Sequence, residues 1–262
     1  MANQAATNLK PYGPDLEGKV ALITGSARNM GRAFAKALAA RGADIVVHHR
    51  SDDSRADADE TARLVRKEGS RALITQGDLS QPSTVAEVFA SAKQAFGRID
   101  IVINNAGLVI KKPFTSITED DFDRAFGVNA KAAFFTMQEA AKQIEDQGRI
   151  INMGTTLLGA TTGMYSVYAG SKAPLEDFTR ALAKEIGGRG ITVNVVAPGP
   201  IDTPFFHGQE NEQSTAFLKN MSVAGRLGEV NDIVPIIDFL VSERAQWVTA
   251  QTLFVNGGFL SR

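Results

Sequence analysis

The sequence contains no cysteine. Disulfide bonds, thiolate metal sites and cysteine nucleophiles are therefore excluded together. Only three histidines are present: His48 and His49 are adjacent, and His207 is far away in the chain. This spacing does not match the usual patterns of metal ligands, so we expect no metal site.

The chain also has little net charge and no long apolar run. Its formal net charge is −1, which gives no electrostatic reason to expect nucleic acid or an anionic membrane as a partner. No stretch approaches the roughly eighteen apolar residues that a membrane helix requires. The polar opening segment lacks the basic and apolar regions of a signal peptide. We therefore predict a flexible arm over residues 1–16 and a cytoplasmic protein.

What is present is a regular alternation of two kinds of segment. Short apolar, β-branched runs occur at 20–23, 45–47, 72–74, 99–103, 149–153, 191–196 and 252–255. Stretches with helical periodicity lie between them, at 31–41, 57–68, 84–96, 119–143, 168–186 and 231–241. Continuous apolar strands separated by helices predict one α/β domain over 17–262, a doubly wound Rossmann-type parallel sheet with helices on both faces.

In such sheets, ligands bind beyond the carboxyl ends of the strands. The first strand runs into a glycine-containing turn and then a helix, an arrangement that suits a phosphate group. This turn comprises Gly25, Ser26, Ala27, Arg28, Asn29, Met30 and Gly31. The second strand is followed by Arg50 and Ser51, without an acidic residue at the strand end. Arginine in this place, with Arg28 nearby, favours the 2′-phosphate of NADP(H) over NAD(H).

The loops after the later strands add further candidate cofactor contacts. Asp78 is suited to cap a helix or to hydrogen-bond an adenine amino group. The small residues after the fourth strand let a nucleotide lie against the backbone, although a simple polar turn explains them equally well. The candidates in these loops are Asp78, Leu79, Asn105, Ala106, Gly107, Pro198, Gly199, Ile201 and Thr203.

Tyr168 and Lys172 are four residues apart at the start of a helical run, so they lie on one face of the helix. A lysine charge beside a phenol favours the phenolate and lowers the phenol pKa, which prepares Tyr168 for proton transfer. The alternative is that the two residues have this spacing by chance and that the lysine is simply solvated.

After the sixth strand, residues 204–227 form an irregular stretch with scattered aromatics, which we interpret as a lid. Apolar residues flank the predicted site and suggest a small, neutral, partly hydrophobic substrate, namely Leu157, Met164, Tyr165, Phe205 and Phe206.

These residues occur in a familiar order. The set Thr24-Gly25-x-x-x-Asn29-x-Gly31, Asp78, Asn104-Asn105-Ala106-Gly107, Asn129, Thr155, Tyr168-x-x-x-Lys172, Pro198-Gly199 with Thr203, and Asn256-Gly257-Gly258 resembles the classical short-chain dehydrogenase/reductase family. The resemblance spans almost the whole chain. It implies a seven-stranded Rossmann sheet, a nicotinamide cofactor, carbonyl/alcohol interconversion and a homo-oligomer, either a tetramer or a dimer.

The resemblance also implies roles for single residues. Tyr168 is then the general acid, and Lys172 holds the nicotinamide ribose and lowers the tyrosine pKa. Thr155 stands where the family usually has serine and donates a hydrogen bond to the substrate oxygen. Asn129 is expected to hold a water that links Lys172 to solvent.

Two departures from the family pattern carry structural predictions. Asn29 replaces a glycine, and asparagine tolerates left-handed backbone, so we expect the turn to persist. Pro174 follows the Tyr168/Lys172 pair and lacks an N–H, which predicts a local kink.

Two other functions are compatible with these residues. Tyr165 and Lys172 have the Tyr-x6-Lys spacing that resembles enoyl-acyl carrier reductases, so Tyr165 is an alternative acid for an enoyl-thioester substrate. A dinucleotide-binding regulator or scaffold without turnover is the second alternative, because a fold does not prove a function.

Overall fold

A computed structural model describes residues 15–160 and 162–261. Seven parallel strands form one sheet in the order β3-β2-β1-β4-β5-β6-β7. The strands are β1 (Val20–Ile23), β2 (Asp44–His49), β3 (Ala72–Gln76), β4 (Ile101–Asn104), β5 (Arg149–Met153), β6 (Thr192–Pro198) and β7 (Thr252–Val255). The seven-stranded parallel sheet predicted from the sequence is therefore confirmed.

Ten helices are described. They are α1 (Asn29–Ala40), α2 (Arg55–Lys67), α3 (Pro82–Phe96), α4 (Glu119–Phe126), α5 (Ala132–Gln143), α6 (Ser166–Lys172), α7 (Pro174–Ile186), α8 (Pro204–His207), α9 (Glu212–Met221) and α10 (Val230–Val241). Side chains of α1, α2 and α10 pack on one face of the sheet, and side chains of α3, α5 and α7 pack on the other.

Both faces of the central strands are buried, which explains why apolar residues predominate in them. In β1, Ala21 and Ile23 contact the α1 and α10 side of the core, whereas Val20 and Leu22 contact the α3 and α5 side. Successive side chains of a strand point to opposite faces, so a sheet covered on both faces favours runs of consecutive apolar residues.

The long helix predicted over 119–143 contains a change of pitch. A π-helical turn, Gly127–Lys131, joins α4 to α5 and carries Asn129. Such turns are rare and frequently occur at functional sites. The turn places Asn129 among buried residues, with an exposed fraction of 1%.

The helical run after Tyr168 is divided into two helices that meet at Pro174. α6 ends at Lys172 and α7 begins at Pro174, while Ala173 keeps helical dihedrals of φ −55° and ψ −41°. The local kink expected at Pro174 stays a prediction.

Two expectations need correction. The lid at 204–227 is not irregular, because it contains α8 and α9, and Asn211 and Ser214 form a capping box at the start of α9. Most of the predicted arm, residues 1–14, lies outside the described residues. Its last two residues are not flexible: Leu16 is buried, and Asp15 pairs with Arg41 at 2.7 Å.

Within residues 15–160 and 162–261, no helix is both long enough and apolar enough to cross a bilayer.

Candidate active site

The site lies where the strand order reverses, between the carboxyl ends of β1 and β4. Gly25 follows β1 with a φ of +62°, and a Cβ there would lie 3.0 Å from the Cα of Ala106. A Cβ on Gly31 would lie 2.5 Å from the carbonyl oxygen of Gly25. Both positions therefore require glycine, as the sequence predicts.

Hydrogen bonds fix the turn after β1 against the turn after β4. The Thr24 hydroxyl accepts from the backbone N–H groups of Asn105 and Ala106, at 3.0 Å each. The Asn105 amide donates to the carbonyls of Thr24 and Gly25, also at 3.0 Å. The side chain of Asn105 thus shapes the glycine turn, and its direct contact with a cofactor stays a prediction.

Asn29, the first residue of α1, has a φ of +51°, so the expected left-handed turn is confirmed. Among the described residues, no side chain caps the start of this helix. The first N–H groups of a helix lack intrahelical partners and carry a positive dipole end. The narrow glycine cradle and these amides fit a diphosphate, which is the group that a dinucleotide presents here.

Arg28 and Arg50 lie at the rim of the same crevice. Arg28 approaches Asp57 at 3.7 Å, and Arg50 forms an ion pair with Asp78 at 3.0 Å. Burial pushes the pKa of Asp78 upward, but hydrogen bonds from Ser80 and the charge of Arg50 hold it below its usual value. Both guanidinium groups remain about two-thirds exposed, at 66% and 63%, so they are accessible to an anionic ligand.

His48 is a structural residue of the site that the sequence did not identify. Its Nδ1 accepts from the Gly25 N–H at 3.1 Å, and its Nε2 lies 3.0 Å from the Gly77 carbonyl. The two contacts require a neutral ring with the proton on Nε2. Burial lowers the pKa of His48 to about 4. The ring therefore joins the glycine turn to the loop after β3.

We expect His48 to make the protein sensitive to acid. Its folded pKa lies below the ordinary 6.5, so between about pH 6.5 and 4 the unfolded chain binds more protons and stability falls as pH falls. The shift corresponds to about 3 kcal/mol across this window. The measurement is the free energy of unfolding against pH for the wild type and His48→Gln. An equal slope in both proteins would refute this assignment.

Tyr168 and Thr155 are the predicted proton donor and its neighbouring hydroxyl. Thr155 follows β5, is 8% exposed, and accepts a hydrogen bond from the Leu157 N–H at 3.3 Å. Burial raises the pKa of Tyr168, and a hydrogen bond with the Thr155 side chain acts in the opposite direction. The lowered tyrosine pKa expected from the sequence is wrong for this structure. The phenol keeps its proton at neutral pH, as an acid in reduction must.

Lys172 is buried one helical turn beyond Tyr168, with an exposed fraction of 4%. Its ammonium donates to the Met153 carbonyl at 2.8 Å, and burial lowers its pKa to about 8. The chance alternative, a solvated lysine, is therefore wrong. The ammonium is thus bonded to the backbone of β5, and the pKa of Tyr168 is set by its burial and by the Thr155 side chain.

The side chain of Asn129, in the π-helical turn, forms hydrogen bonds with the loop after β4 and with α6. Its amide N–H groups donate to the Leu108 carbonyl at 2.7 Å and to the Ser171 hydroxyl at 2.9 Å. Its Oδ1 accepts from the Leu108 N–H at 2.8 Å. A Cβ on Gly107 would lie 3.4 Å from this oxygen and 3.5 Å from the Lys172 Nζ, so the two side chains converge on Gly107. The water-holding role of Asn129 stays a prediction.

Tyr165 differs from Tyr168 in what its hydroxyl does. It donates a short hydrogen bond to Glu210, and burial together with this carboxylate raises its pKa well above the ordinary value. Glu210 also pairs with Lys111 at 2.5 Å. The sequence did not identify Glu210 or Lys111. The only signals were a lysine shortly after the Asn-Asn-Ala-Gly turn and an acid within the predicted lid.

The remaining predicted residues are buried, half-buried or exposed. Ser26, Ala27, Leu79, Ile201 and Thr203 are buried, and a Cβ on Gly199, which follows Pro198, would lie 2.9 Å from the Cα of Asn256. Met30, Ser51, Leu157, Tyr165 and Phe206 are half-buried, whereas Met164 and Phe205 are exposed at 46% and 41%. Contact of these residues with a ligand stays a prediction. In the described part of the chain, no group of three or more acidic or histidine side chains could hold a metal ion.

Comparisons with known proteins identify the family of the chain. Residues 25–260 match a family model described as enoyl-(acyl carrier protein) reductase. The chain is 38% identical to a short-chain type dehydrogenase/reductase of Picea abies, over 93% of both chains. It is also 38% identical to an NADPH-dependent aldehyde reductase-like protein, chloroplastic, of Arabidopsis thaliana, over 94% of this chain and 95% of that one.

Among solved structures, a dehydrogenase from Burkholderia cenocepacia with bound NADP superposes with a TM-score of 0.92 at 44% identity. The match covers 95% of this chain and 96% of the other. Sequence, fold and the arrangement of Tyr168, Lys172 and Thr155 lead to one conclusion. This chain belongs to the classical short-chain dehydrogenase/reductase family.

Proposed function

We propose that this protein uses NADP(H) to interconvert a carbonyl and a secondary alcohol on a small, neutral, partly hydrophobic substrate. The observation that carries the proposal is the pairing of the Tyr168 phenol with Thr155 beside the buried Lys172. These groups stand at the same sheet edge as the glycine turn, so a reducing cofactor and a proton donor meet there.

Each residue of the site has its own proposed role in the reaction. When bound, the nicotinamide cofactor supplies the hydride. Tyr168 gives its proton to the carbonyl oxygen, and Thr155 donates a hydrogen bond to the same oxygen as negative charge develops. Lys172 lies one turn along the helix, where its ammonium stabilises that charge and holds the cofactor ribose.

NADP(H) is favoured over NAD(H) by the charge at the rim. Arg28 and Arg50 present two exposed guanidinium groups, which suit a phosphate dianion. The Burkholderia relative was solved with NADP, and the Arabidopsis relative is named as NADPH-dependent. Gly25, Gly31 and Asp78 are the proposed contacts of the remaining dinucleotide.

We expect Arg50→Ala to raise the KM for NADPH about tenfold, because a charge-assisted hydrogen bond to the 2′-phosphate is lost. The KM for NADH should change little. Arg63→Ala is the matched control, since Arg63 has the same 63% exposure and pairs with Glu60 on α2. Steady-state kinetics with both cofactors measure the effect, and an equal loss for NADH would contradict the role.

Enoyl reduction is the second candidate, and the description of the matched family model favours it. It would require Tyr165 to deliver the proton. The hydroxyl of Tyr165 already bonds to the Glu210 carboxylate, whereas the Tyr168 phenol pairs with the neutral hydroxyl of Thr155. We therefore assign the acid to Tyr168.

One experiment tests the proposal as a whole: oxidation of NADPH and NADH is followed with a panel of ketones, quinones and enoyl thioesters. We expect NADPH-dependent turnover of ketones. Binding of NADPH without turnover of any compound would favour the regulator or scaffold alternative. The cytoplasmic location expected from the sequence stays a prediction.

We also propose that a second copy of the chain covers the face formed by α4, α5 and α7, in a homotetramer or dimer. A groove of about 560 Å³ on this face is lined by four phenylalanines, with Asp123 and Lys131 offering opposite charges for a symmetric partner. Phe134, one of the four, is 40% exposed. Phe134→Glu should lower the mass measured by light scattering, and an unchanged mass would contradict the interface.

A further inference from the structure

A charge cluster centred on the buried Glu210 carboxylate, and completed by the half-buried Lys111 and Tyr165, lies beside Tyr168. The three residues come from the loop after β4, the residue before α6 and the segment between α8 and α9. Lys111 Nζ lies 2.5 Å from one carboxylate oxygen of Glu210, and the Tyr165 hydroxyl donates to the other. The side chain of Glu210 is 1% exposed, so this carboxylate is sealed between the lid and the body of the domain.

In this cluster, the positive charge of Lys111 balances the negative charge of Glu210. Burial acts to raise the pKa of Glu210, but hydrogen bonds from Lys111, Ser214 and Tyr165 bring it below its usual value, so the carboxylate is ionised. A buried charge that keeps all its partners is tolerated, whereas loss of one partner leaves the others uncompensated. The contacts that Lys111, Ser214 and Tyr165 make with Glu210 therefore depend on one another.

The same cluster fixes an aromatic ring next to the proton donor. The Tyr165 ring centroid lies 6.2 Å from that of Tyr168, with the planes inclined at 59°. Glu210 holds the hydroxyl end of the Tyr165 ring, and the Lys111 ammonium lies 5.4 Å from its centroid. Held in both ways, this ring has little freedom to turn away from Tyr168.

Glu210 also sets the position of the lid. It precedes the capping box of Asn211 and Ser214, from which α9 begins. One carboxylate thus fixes both the start of the lid helix and the orientation of Tyr165.

We propose that Glu210 is a positioning residue that determines substrate specificity. By holding the lid down and the Tyr165 ring in place, it makes one wall of the pocket flat and rigid. Flat conjugated rings gain from offset stacking on such a wall, and puckered saturated rings of the same size do not. The pocket therefore selects carbonyl compounds conjugated to a planar ring. This inference rests on the carbonyl reduction proposed above.

The test compares acetophenone with cyclohexyl methyl ketone, two methyl ketones that differ in a planar against a puckered ring. The readout is the ratio of their kcat/KM values with saturating NADPH. We expect Glu210→Ala to lower the preference for acetophenone about tenfold, through KM with kcat little changed, as expected for loss of a stacking wall. Glu210→Gln keeps an acceptor oxygen for Tyr165 and should restore most of the preference.

Two further variants separate positioning from a general loss of structure. Glu212→Ala removes an exposed acid two residues away in the same lid and should leave the ratio unchanged. Tyr165→Phe should lower the ratio as Glu210→Ala does, and the double variant should be no worse than either single one.

An unchanged ratio in Glu210→Ala, with turnover that still requires Tyr168, would overturn the specificity inference alone. Equal loss of the ratio in Glu212→Ala would also overturn it, since a nonspecific effect on the lid would then suffice. Absence of NADPH-dependent turnover of both ketones by the wild type would overturn the proposed function, and the specificity inference with it.

Discussion

Tyr168→Phe is expected to lower kcat for carbonyl reduction by about 10² to 10⁴, the usual contribution of a positioned general acid. The change removes one hydroxyl and keeps the ring, so packing on α6 is retained. NADPH binding, measured by fluorescence titration, should persist, because the glycine turn and the rim arginines are untouched. The loss therefore belongs to the chemical step.

Tyr165→Phe is the matched control for this prediction. The same hydroxyl is removed three residues earlier, where it bonds to Glu210 and not to the reacting oxygen. This variant should keep kcat within a few-fold and change KM. If Tyr165→Phe abolished turnover while Tyr168→Phe kept it, the assignment of the acid would be reversed.

Lys172→Met is expected to change activity and stability in opposite directions. Loss of the ammonium should lower kcat about 10² to 10³, because a charge aimed at the developing oxyanion is removed. The same ammonium is costly to bury: its pKa falls from 10.5 to about 8. Methionine has a similar length and no charge, so the variant should be more stable at pH 7 by about 1 to 2 kcal/mol, after loss of the bond to Met153.

The pH dependence of this stability difference follows from proton binding. The folded pKa of Lys172 is below the unfolded one, so the unfolded wild type binds more protons between about pH 8 and 10.5. Wild-type stability therefore gains from this group as pH rises through that window, and the gap to Lys172→Met should close. Chemical denaturation at pH 7 and pH 10 measures the gap. A variant that is less stable at pH 7 would contradict a costly buried charge.

The features predicted correctly from the sequence are those that neighbouring residues decide. The strand runs predict their bounds to within about two residues, because both faces of the sheet are covered and each strand contains a run of apolar residues. The left-handed backbone of Asn29 follows from the conformational limits of a single residue. The Tyr168 and Lys172 pair follows from the period of the helix.

The features that were missed depend on residues distant in sequence. Glu210 meets Lys111 and Tyr165 only because the lid folds back over the sheet edge, and His48 meets Gly25 and Gly77 only across three strands. The direction of the Tyr168 pKa shift was wrong for the same reason. Helical spacing indicates that Lys172 is near, but it indicates neither the burial of the phenol nor the bond between the ammonium and Met153.

The central claim is that hydride goes to a carbonyl carbon with Tyr168 as the proton donor. A conjugated enone offers both a carbonyl and a carbon–carbon double bond, and NADPH deuterated at the transferring position marks the carbon that is reduced. The measurement is the position of deuterium in the product by NMR, for the wild type and Tyr168→Phe. We predict an allylic alcohol with deuterium at the carbinol carbon, formed by the wild type and lost in Tyr168→Phe. A saturated ketone with deuterium at the β-carbon, formed equally well by Tyr168→Phe, would contradict the claim.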